Sequence, residues 1–145
     1  MNQPSNSTST FVVVPAYNEA TIIRSALEGL LQLNLSVVVV GDGSSDGTEA
    51  LVADLPIYFL RHSINLGQGA AIQTGTSFAL SQGARIVIHF DADGQHSATD
   101  IAALTEPLHQ GKADVVLGSR FLRPADIKAV PFARRWLLRC AKACN

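Results

Sequence analysis

The chain has 145 residues, of which 47% are hydrophobic and 16% are charged, and its formal net charge is −1. This length and composition suit one globular domain with a sizeable core and argue against an intrinsically disordered chain. The longest apolar runs, FVVVP and SVVVVG, are much shorter than the roughly 18 consecutive residues of a membrane-spanning helix, and the polar start MNQPSNSTST lacks the features of a signal peptide.

Short β-branched runs alternate with helical patterns, after a flexible polar tail over residues 1–10. The predicted strands are 11–15, 36–40, 57–60, 85–90 and 114–118, and the predicted helices are 19–33, 47–55, 68–81 and 98–109. We expect Asn18 to cap the first helix, and Asp46 with Glu49 to form a capping box at the second. Continuously apolar runs such as Val37–Val40 indicate strands that are covered on both faces. The prediction is an α/β fold, an open and mainly parallel sheet flanked by helices, in a single domain over residues 11–145.

Polar residues and glycines follow the ends of these strands. They form the segments Pro15-Ala16-Tyr17-Asn18-Glu19, Gly41-Asp42-Gly43-Ser44, Arg61-His62, Asp91-Ala92-Asp93 and Gly118-Ser119-Arg120. Loops are generally polar, and glycines end strands for backbone reasons. The beginnings of the strands, however, carry no comparable set of carboxylates. Because ligands bind beyond the carboxyl ends of strands in open parallel sheets, we expect a ligand site at this edge.

Asp91 and Asp93 end a buried apolar strand with only one residue between them. Like charges this close repel, and they are costly to bury, so they either face water or hold a cation. Mg²⁺ and Mn²⁺ take oxygen ligands from one or two carboxylates and complete their shell with phosphates and water. Residues i and i+2 of an extended chain project to the same side, so both carboxylates can converge on one ion. Gln95 offers a third oxygen, whereas His96 is more typical of a hydrogen-bonding group than of a ligand.

The glycine-rich loops do not match the signatures of dinucleotide or P-loop sites. In GDGSSDG, the glycine after Gly43 is Gly47, one residue late for the dinucleotide fingerprint, and LGQGAAI has Ile72 where that fingerprint has a small residue. The P-loop motif does not occur in the sequence. Asp42 can accept hydrogen bonds from a base or a ribose, or it can form a turn.

The segments VVVPAYNEA, VVVVGDGSSDGT, RHSINLGQGAAIQTG, IHFDADGQH and VVLGSRF, in this order and spacing, resemble the nucleotide-sugar-binding part of the family 2 glycosyltransferases, which have the Rossmann-like GT-A fold. They are most similar to the polyprenyl-phosphate sugar synthases, such as the dolichyl-phosphate mannose synthases. The resemblance covers residues 11–135. It implies a metal-assisted, inverting transfer of a sugar from a UDP- or GDP-sugar to a polyprenyl phosphate or saccharide acceptor, with Mg²⁺ or Mn²⁺ as cofactor.

The resemblance also implies roles for individual residues. The implied donor-binding residues are Pro15, Ala16, Tyr17, Asn18, Glu19, Asp42, Gly69, Asp91, Ala92 and Asp93. Asp91 and Asp93, with Gln95 as third ligand, would hold the cation. Arg120 and Arg134 would face the phosphates, including that of the acceptor, and they join Asp91 and Asp93 as the predicted catalytic residues. Gly41 departs from the family pattern, which usually begins Asp-Asp-Gly-Ser here, so the choice between UDP and GDP stays open.

The last 26 residues carry seven Lys or Arg and one acidic residue, Asp126. In FARRWLLRCAK, apolar and basic residues share a predicted helix, which would either lie on an anionic membrane or pack on the core with a solvated basic face. We expect a cytoplasmic protein, with 128–145 as the candidate for peripheral contact with the cytoplasmic face of a membrane, and no nucleic-acid partner.

The helical pattern runs to Asn145 without a stop signal, so we expect the chain to be part of a longer protein. Two alternatives stay open. A nucleotidyltransferase would carry a glycine-rich loop with Arg and Lys after the first strand, where this chain has PAYNEA. A non-catalytic nucleotide-sugar-binding module would keep the fold without the transfer.

Overall fold

A computed structural model of the protein describes residues 9–93 and 98–118. The strands are β1 (Thr10–Ala16), β2 (Ser36–Asp42), β3 (Tyr58–His62) and β4 (Ile86–His89); the helices are α1 (Ile23–Leu31), α2 (Gln68–Ser81) and α3 (Ile101–His109), with 3₁₀ turns at Ala50–Val52 and Ala98–Asp100. The first four predicted strands are confirmed to within two residues, and α2 has the predicted bounds. The predictions for Gln95, Arg120, Arg134 and the segment 128–145 lie outside the described residues.

The four strands form one parallel sheet in the order β3-β2-β1-β4. β1 lies inside the sheet and pairs with β2, where Ala16 is opposite Gly41, and with β4, where Thr10 is opposite Ile86. The chain runs outward from β1 through β2 to β3 and then crosses back to β4. The strand order therefore reverses between β1 and β4, and ligands of open α/β sheets bind in the crevice at such a reversal.

Helices cover both faces of this sheet. One apolar cluster joins the strands to α1 and α3, and it includes Val12, Val14, Ile23, Leu27, Leu30, Val37, Val39 and Ile101. The other joins the strands to α2, and it includes Phe11, Val13, Val38, Val40, Ala71 and Ala79. Successive strand residues alternate between the two clusters, which explains why the strands are apolar without interruption. Over 9–93 and 98–118, no helix has the length and apolar content to cross a membrane.

Helix α1 is shorter than predicted, because the chain before it is bound elsewhere. The prediction that Asn18 caps α1 is wrong: Asn18 has a left-handed φ of 55°, and its Oδ1 accepts a hydrogen bond from the Ser45 N–H at 3.0 Å. The N–H groups of Ile22 and Ile23 bond to the Glu19 carbonyl at 3.1 and 2.9 Å, and the helix follows that turn.

The predicted helix 47–55 is reduced to the 3₁₀ turn Ala50–Val52. The predicted capping box is wrong as well. Asp46 Oδ1 accepts hydrogen bonds from the N–H and the hydroxyl of Thr48, at 3.0 and 2.5 Å, and Glu49 forms an ion pair with β3. Local hydrogen bonds of this kind compete with a helix start, and Pro56 disfavours helical conformation in the residue before it.

The predicted strand 114–118 is not a strand in the structure. Val115 and Leu117 are 75% and 84% exposed. A strand needs a neighbour for its backbone hydrogen bonds, and this segment pairs with none of the strands in the described part of the chain. Apolar character alone was therefore not enough to place it in the sheet.

Candidate functional site

A cavity of about 430 Å³ lies at the carboxyl ends of β1, β2 and β4, where the strand order reverses. Its lining residues are Pro15, Ala16, Tyr17, Glu19, Asp42, Asn65, Gln68, Ala71, Asp91, Ala92 and Asp93. All the predicted donor-binding residues except Asn18 and Gly69 are among them. We call this space the donor cavity, after the predicted donor-binding residues that line it.

Asp91 and Asp93 enter the donor cavity from the loop after β4. Asp91 is half-buried and Asp93 is exposed, whereas Ala92 between them is buried in the core. The two carboxylates thus lie on the same, outer side of the chain, as the i, i+2 spacing predicts. The Asp91 Oδ1 accepts a hydrogen bond from the side-chain Nε2 of Gln68 at 2.8 Å.

Asp42 lies at the end of β2 and is only 2% exposed. Its Oδ1 accepts hydrogen bonds from the Leu66 N–H at 2.9 Å and from His62 Nδ1 at 2.7 Å, and its Oδ2 accepts one from the Gly67 N–H at 2.8 Å. The other nitrogen of the His62 ring bonds to the Thr74 hydroxyl at 2.9 Å. Asp42 therefore connects β2, β3 and the start of α2.

These contacts also determine the charge of Asp42. Burial raises the pKa of this carboxyl, but the hydrogen bonds from Leu66, His62 and Gly67 outweigh burial, so the pKa lies below its ordinary value. An ionised carboxylate only accepts hydrogen bonds, so His62 Nδ1 carries the proton that it donates. Asp42 thus stays charged near neutral pH, with most of its hydrogen-bonding capacity used inside the protein.

Asn18 does not line the donor cavity but joins the loop after β1 to the loop after β2. The Asn18 N–H donates to the Ser44 hydroxyl at 3.1 Å, and the Asn18 Oδ1 accepts from the Ser45 N–H. The neighbouring N–H groups of Glu19 and Ala20 donate to the side chains that follow in the second loop, Thr48 and Asp46, at 3.1 and 2.9 Å. We call these four hydrogen bonds between residues 18–20 and 44–48 the loop clasp.

The other predicted donor-binding residues differ in exposure. Tyr17 is 50% exposed, whereas Pro15 and Glu19 are half-buried and Ala16 is buried. Gly69 stands on the first turn of α2, and a Cβ added to it would meet no atom within 4 Å. Tyr17 therefore presents the largest exposed side chain on the β1 side of the donor cavity.

Sequence reasoning missed the cavity residues Asn65, Gln68 and Ala71. All three belong to RHSINLGQGAAIQTG, a segment that contributed only Gly69 to the predicted site. Gln68 is the first residue of α2, and Gly67 before it has a φ of 92°. A glycine followed by a helix start was a usable signal, since a turn of this kind directs the next side chains toward the end of the sheet.

The donor set fits a metal that is shared with a ligand. Within the described residues, no group of three or more His, Cys, Asp and Glu side chains could hold a metal ion. Asp91 and Asp93 supply two carboxylates to one cavity, which is the usual protein contribution to a Mg²⁺ or Mn²⁺ site completed by phosphates.

A second cavity, of about 380 Å³, lies along β2 and β3. It is lined by Gly41, Gly43, Ser44, Glu49, Phe59, Arg61, His62 and Ser63. Its charged residues, Glu49 and Arg61, pair with each other. It contains neither of the predicted metal-binding carboxylates, so the donor cavity is the better candidate for the reaction site.

Comparisons with known proteins place the chain in a family. The sequence profile of the family described as Glycosyl transferase family 2 matches residues 11–143. The UDP-N-acetylglucosamine–dolichyl-phosphate N-acetylglucosaminyltransferase of Methanococcus voltae is 31% identical over 143 residues, which cover 86% of this chain and 57% of that protein. The polyprenol monophosphomannose synthase of Mycolicibacterium smegmatis is 30% identical over 142 residues, which cover 91% and 52%. The chain spans about half the length of the curated relatives it matches.

Solved structures show the same fold. Glucosyl-3-phosphoglycerate synthase from Mycobacterium tuberculosis, in complex with Mn²⁺, UDP and glucosyl-3-phosphoglycerate, superposes with a TM-score of 0.59 at 24% identity, over 70% of this chain and 39% of that chain. Its complex with Mn²⁺, UDP-glucose and phosphoglyceric acid gives a TM-score of 0.60 at 25% identity, over 72% and 40%. The parallel sheet flanked by helices is thus a GT-A fold, and the chain belongs to glycosyltransferase family 2.

Proposed function

We propose that this chain binds a nucleotide-diphosphate sugar in the donor cavity and forms the donor half of a glycosyltransferase. One observation carries the proposal. Asp91 and Asp93 line the same cavity as residues at the ends of β1 and β2, and this cavity lies where the strand order reverses. The names of the relatives support a UDP-sugar or a related donor, and one solved neighbour holds Mn²⁺ together with UDP.

The reaction requires a stabilised leaving diphosphate while a nucleophile attacks the anomeric carbon. A divalent cation, when bound, supplies Lewis-acid stabilisation to that diphosphate. Asp91 and Asp93 would hold the cation, with Gln95 as the third protein ligand. Pro15, Tyr17 and Glu19 would border the nucleoside, and Gly69 would let the diphosphate approach the backbone of α2. The expected outcome of the attack is inversion at the anomeric carbon.

A polyprenyl phosphate is the acceptor that we propose. Two relatives are named for transfer to dolichyl phosphate or for polyprenol monophosphomannose synthesis. A phosphate monoester has a second pKa of about 6, so it is largely an anionic nucleophile at neutral pH and needs little help from a general base. Arg120 and Arg134 would bind its oxygens, since the planar guanidinium suits phosphate.

The basic segment 128–145 would bring the protein to the cytoplasmic face of a membrane that carries such an acceptor. Its basic and aromatic composition is typical of a helix lying on an anionic surface. The proposal requires the chain to sediment with anionic lipid vesicles at low salt, and a chain that stays in the supernatant would exclude it.

Calorimetric titration tests donor binding. UDP-sugar, GDP-sugar and nucleoside triphosphate are titrated into the native chain with and without Mn²⁺. We expect a nucleotide-diphosphate sugar to bind only with metal, and Asp91→Ala and Asp93→Ala each to weaken binding at least about tenfold. The control is Asp54→Ala, which removes an exposed carboxylate paired with Arg24 outside the donor cavity.

The outcomes separate the competing functions. Metal-independent binding, or no binding, would contradict a metal-assisted transferase. A preference for the nucleoside triphosphate would favour a nucleotidyltransferase. Metal-dependent donor binding without transfer of labelled sugar to polyprenyl phosphate would favour a non-catalytic binding module.

A further inference from the structure

Gln68 makes a direct contact with a predicted metal ligand, although no sequence motif gave it a role. It is the first residue of α2, and its Nε2 donates a hydrogen bond to Asp91 Oδ1 over 2.8 Å. Both side chains line the donor cavity. The contact joins the start of α2 to the loop after β4, two positions that are 23 residues apart in sequence.

The backbone that carries Gln68 is fixed by a buried group. The Asp42 carboxylate accepts hydrogen bonds from the N–H groups of Leu66 and Gly67, directly before Gln68. Gly67 turns the chain at a φ of 92°, and its carbonyl accepts the first hydrogen bonds of α2, from Ala70 and Ala71. The Asp42 carboxylate thus fixes the backbone before Gln68, and the first hydrogen bonds of α2 fix the backbone after it. The Gln68 amide therefore reaches Asp91 from a defined position.

The chemistry of an amide suits this contact. A carboxylate on a loop can rotate about two side-chain bonds, and a donor on one oxygen restricts that rotation. The Nε2 group supplies a donor without a positive charge, so it does not compete electrostatically with a cation. Hydrogen-bond partners of metal ligands orient those ligands, and losing one typically lowers metal affinity by 10- to 100-fold.

We propose that Gln68 is a positioning residue for the metal site: it holds Oδ1 of Asp91 and thereby leaves Oδ2 to the cation that accompanies the donor diphosphate. This inference rests on the proposed function, because it requires Asp91 to bind a cation. The start of α2 would then take part in metal binding, and the hydrogen bond from the Gly67 N–H to the buried Asp42 would help to hold it there.

Gln68→Met tests the proposal, since Met has a similar length and no amide donor. The matched control is Gln73→Met, on the exposed face of the same helix. Mn²⁺ affinity is measured by electron paramagnetic resonance in the presence of UDP. We expect about tenfold weaker Mn²⁺ binding for Gln68→Met and no change for Gln73→Met, with the melting temperatures of both variants equal to that of the native chain.

A second measurement observes the contact without metal. The side-chain amide signals of Gln68 in a ¹⁵N spectrum are identified by their loss in Gln68→Met. We expect them to shift in Asp91→Asn and to stay in place in Asp54→Asn. Unchanged signals in Asp91→Asn would overturn the contact itself.

The result separates this inference from the function on which it rests. If the native chain binds no Mn²⁺ with UDP, or if Asp91→Ala binds it normally, the proposed function fails and the inference fails with it. If Asp91→Ala abolishes binding while Gln68→Met binds like the native chain, only the role of Gln68 is overturned. Equal weakening in Gln68→Met and Gln73→Met would show a general effect on α2 and would also overturn it.

Discussion

The ring of Phe59 lies against Gly41, at the position where the family usually has an aspartate. A Cβ added to Gly41 would lie 2.8 Å from Phe59 Cζ and 3.2 Å from Cε1. Carbon atoms do not approach this closely without a shift of one partner. Phe59 therefore occupies the space that a side chain on residue 41 would need, so its present position is compatible with glycine there and not with aspartate.

Gly41→Asp should therefore destabilise the protein by about 1–3 kcal/mol, the usual cost of overpacking. Phe59→Leu, which shortens the side chain, should recover part of that loss in the double variant. Urea unfolding of the native chain, both single variants and the double variant measures the coupling between the two positions. Additive effects of the two substitutions would contradict the contact.

At the residue scale, the sequence was informative about groups next to strand ends and poor on contacts across loops. The positions of Asp91 and Asp93 in the donor cavity followed from a strand end and the i, i+2 spacing. The contact of Gln68 with Asp91 could not be predicted, because it depends on the turn at Gly67. The capping role expected of Asn18 failed for a similar reason, since its side chain bonds to a loop that is distant in sequence.

At the element scale, α2 packs closely on the sheet through Gly75. A Cβ on Gly75 would clash with Val13 Cγ1 and would lie 3.1 Å from Val40 Cγ2. Val13 and Val40 are fully buried in β1 and β2, so neither side chain has free space to move into. The missing side chain of Gly75 therefore sets how closely α2 approaches the two strands.

Gly75→Ala should destabilise the protein, although alanine favours a helix by about 1 kcal/mol over glycine. Overpacking in a buried layer costs about 1–3 kcal/mol and should exceed that gain. Gly69→Ala is the matched control, because a Cβ there meets no atom within 4 Å, and it should leave stability equal or slightly higher. The midpoint of urea unfolding measures both. A midpoint for Gly75→Ala at or above the native value would refute close packing of α2.

Whether a helix or strand could be predicted also depended on what packs or hydrogen-bonds against it in the folded chain. β1, β2 and α2 could be predicted because their apolar residues face the core in a regular pattern. The helix expected over 47–55 did not form as predicted, because the Asp46 side chain accepts hydrogen bonds from the N–H and the hydroxyl of Thr48. The strand expected at 114–118 has apolar residues but no neighbouring strand among the described residues, and sequence periodicity carries no information on that point.

At the scale of the whole molecule, three carboxylates couple stability to pH. Burial raises the pKa of Asp42, but the opposite effect of its hydrogen bonds is larger, so this pKa lies below its ordinary value. The hydrogen bonds from Thr48 and Ala20 likewise lower the pKa of Asp46. The hydrogen bond from Arg24 lowers the pKa of Asp54 to about 2. The unfolded chain therefore binds protons at these sites at a higher pH than the folded chain does, and acid favours unfolding.

The stabilising contribution of these groups should be complete above the ordinary carboxyl value near 3.8 and should be lost as the pH falls through the folded values. We expect a lower free energy of unfolding at pH 3 than at pH 6, measured with urea at constant ionic strength. Asp42→Asn should be less stable at pH 6 and should lose less on acidification. Equal stability of the native chain at both pH values would contradict this account.

The prediction of an open parallel sheet is confirmed for the whole molecule, and a cavity lies at the carboxyl ends of its strands, the edge at which we expected a ligand site. That success has a physical cause, since the crossover from β3 back to β4 must leave a crevice beside β1. The volume of the cavity and its full set of walls depend on side-chain packing from four segments, which are 15–19, the end of β2 at Asp42, 65–71 and 91–93. Those details are not encoded in any one motif, so they required the structure.

The loop clasp has a consequence for the thermodynamics of ligand entry. Its four hydrogen bonds hold residues 18–20 against residues 44–48, so the part of the donor cavity that Tyr17 and Glu19 line is held in place by the folded chain. Ordering a mobile loop on binding consumes part of the free energy of the new contacts, about 0.5–1.5 kcal/mol for each immobilised side chain. A ligand that binds against Tyr17 and Glu19 meets a surface whose conformational entropy was already lost during folding. More of its contact energy then remains as affinity.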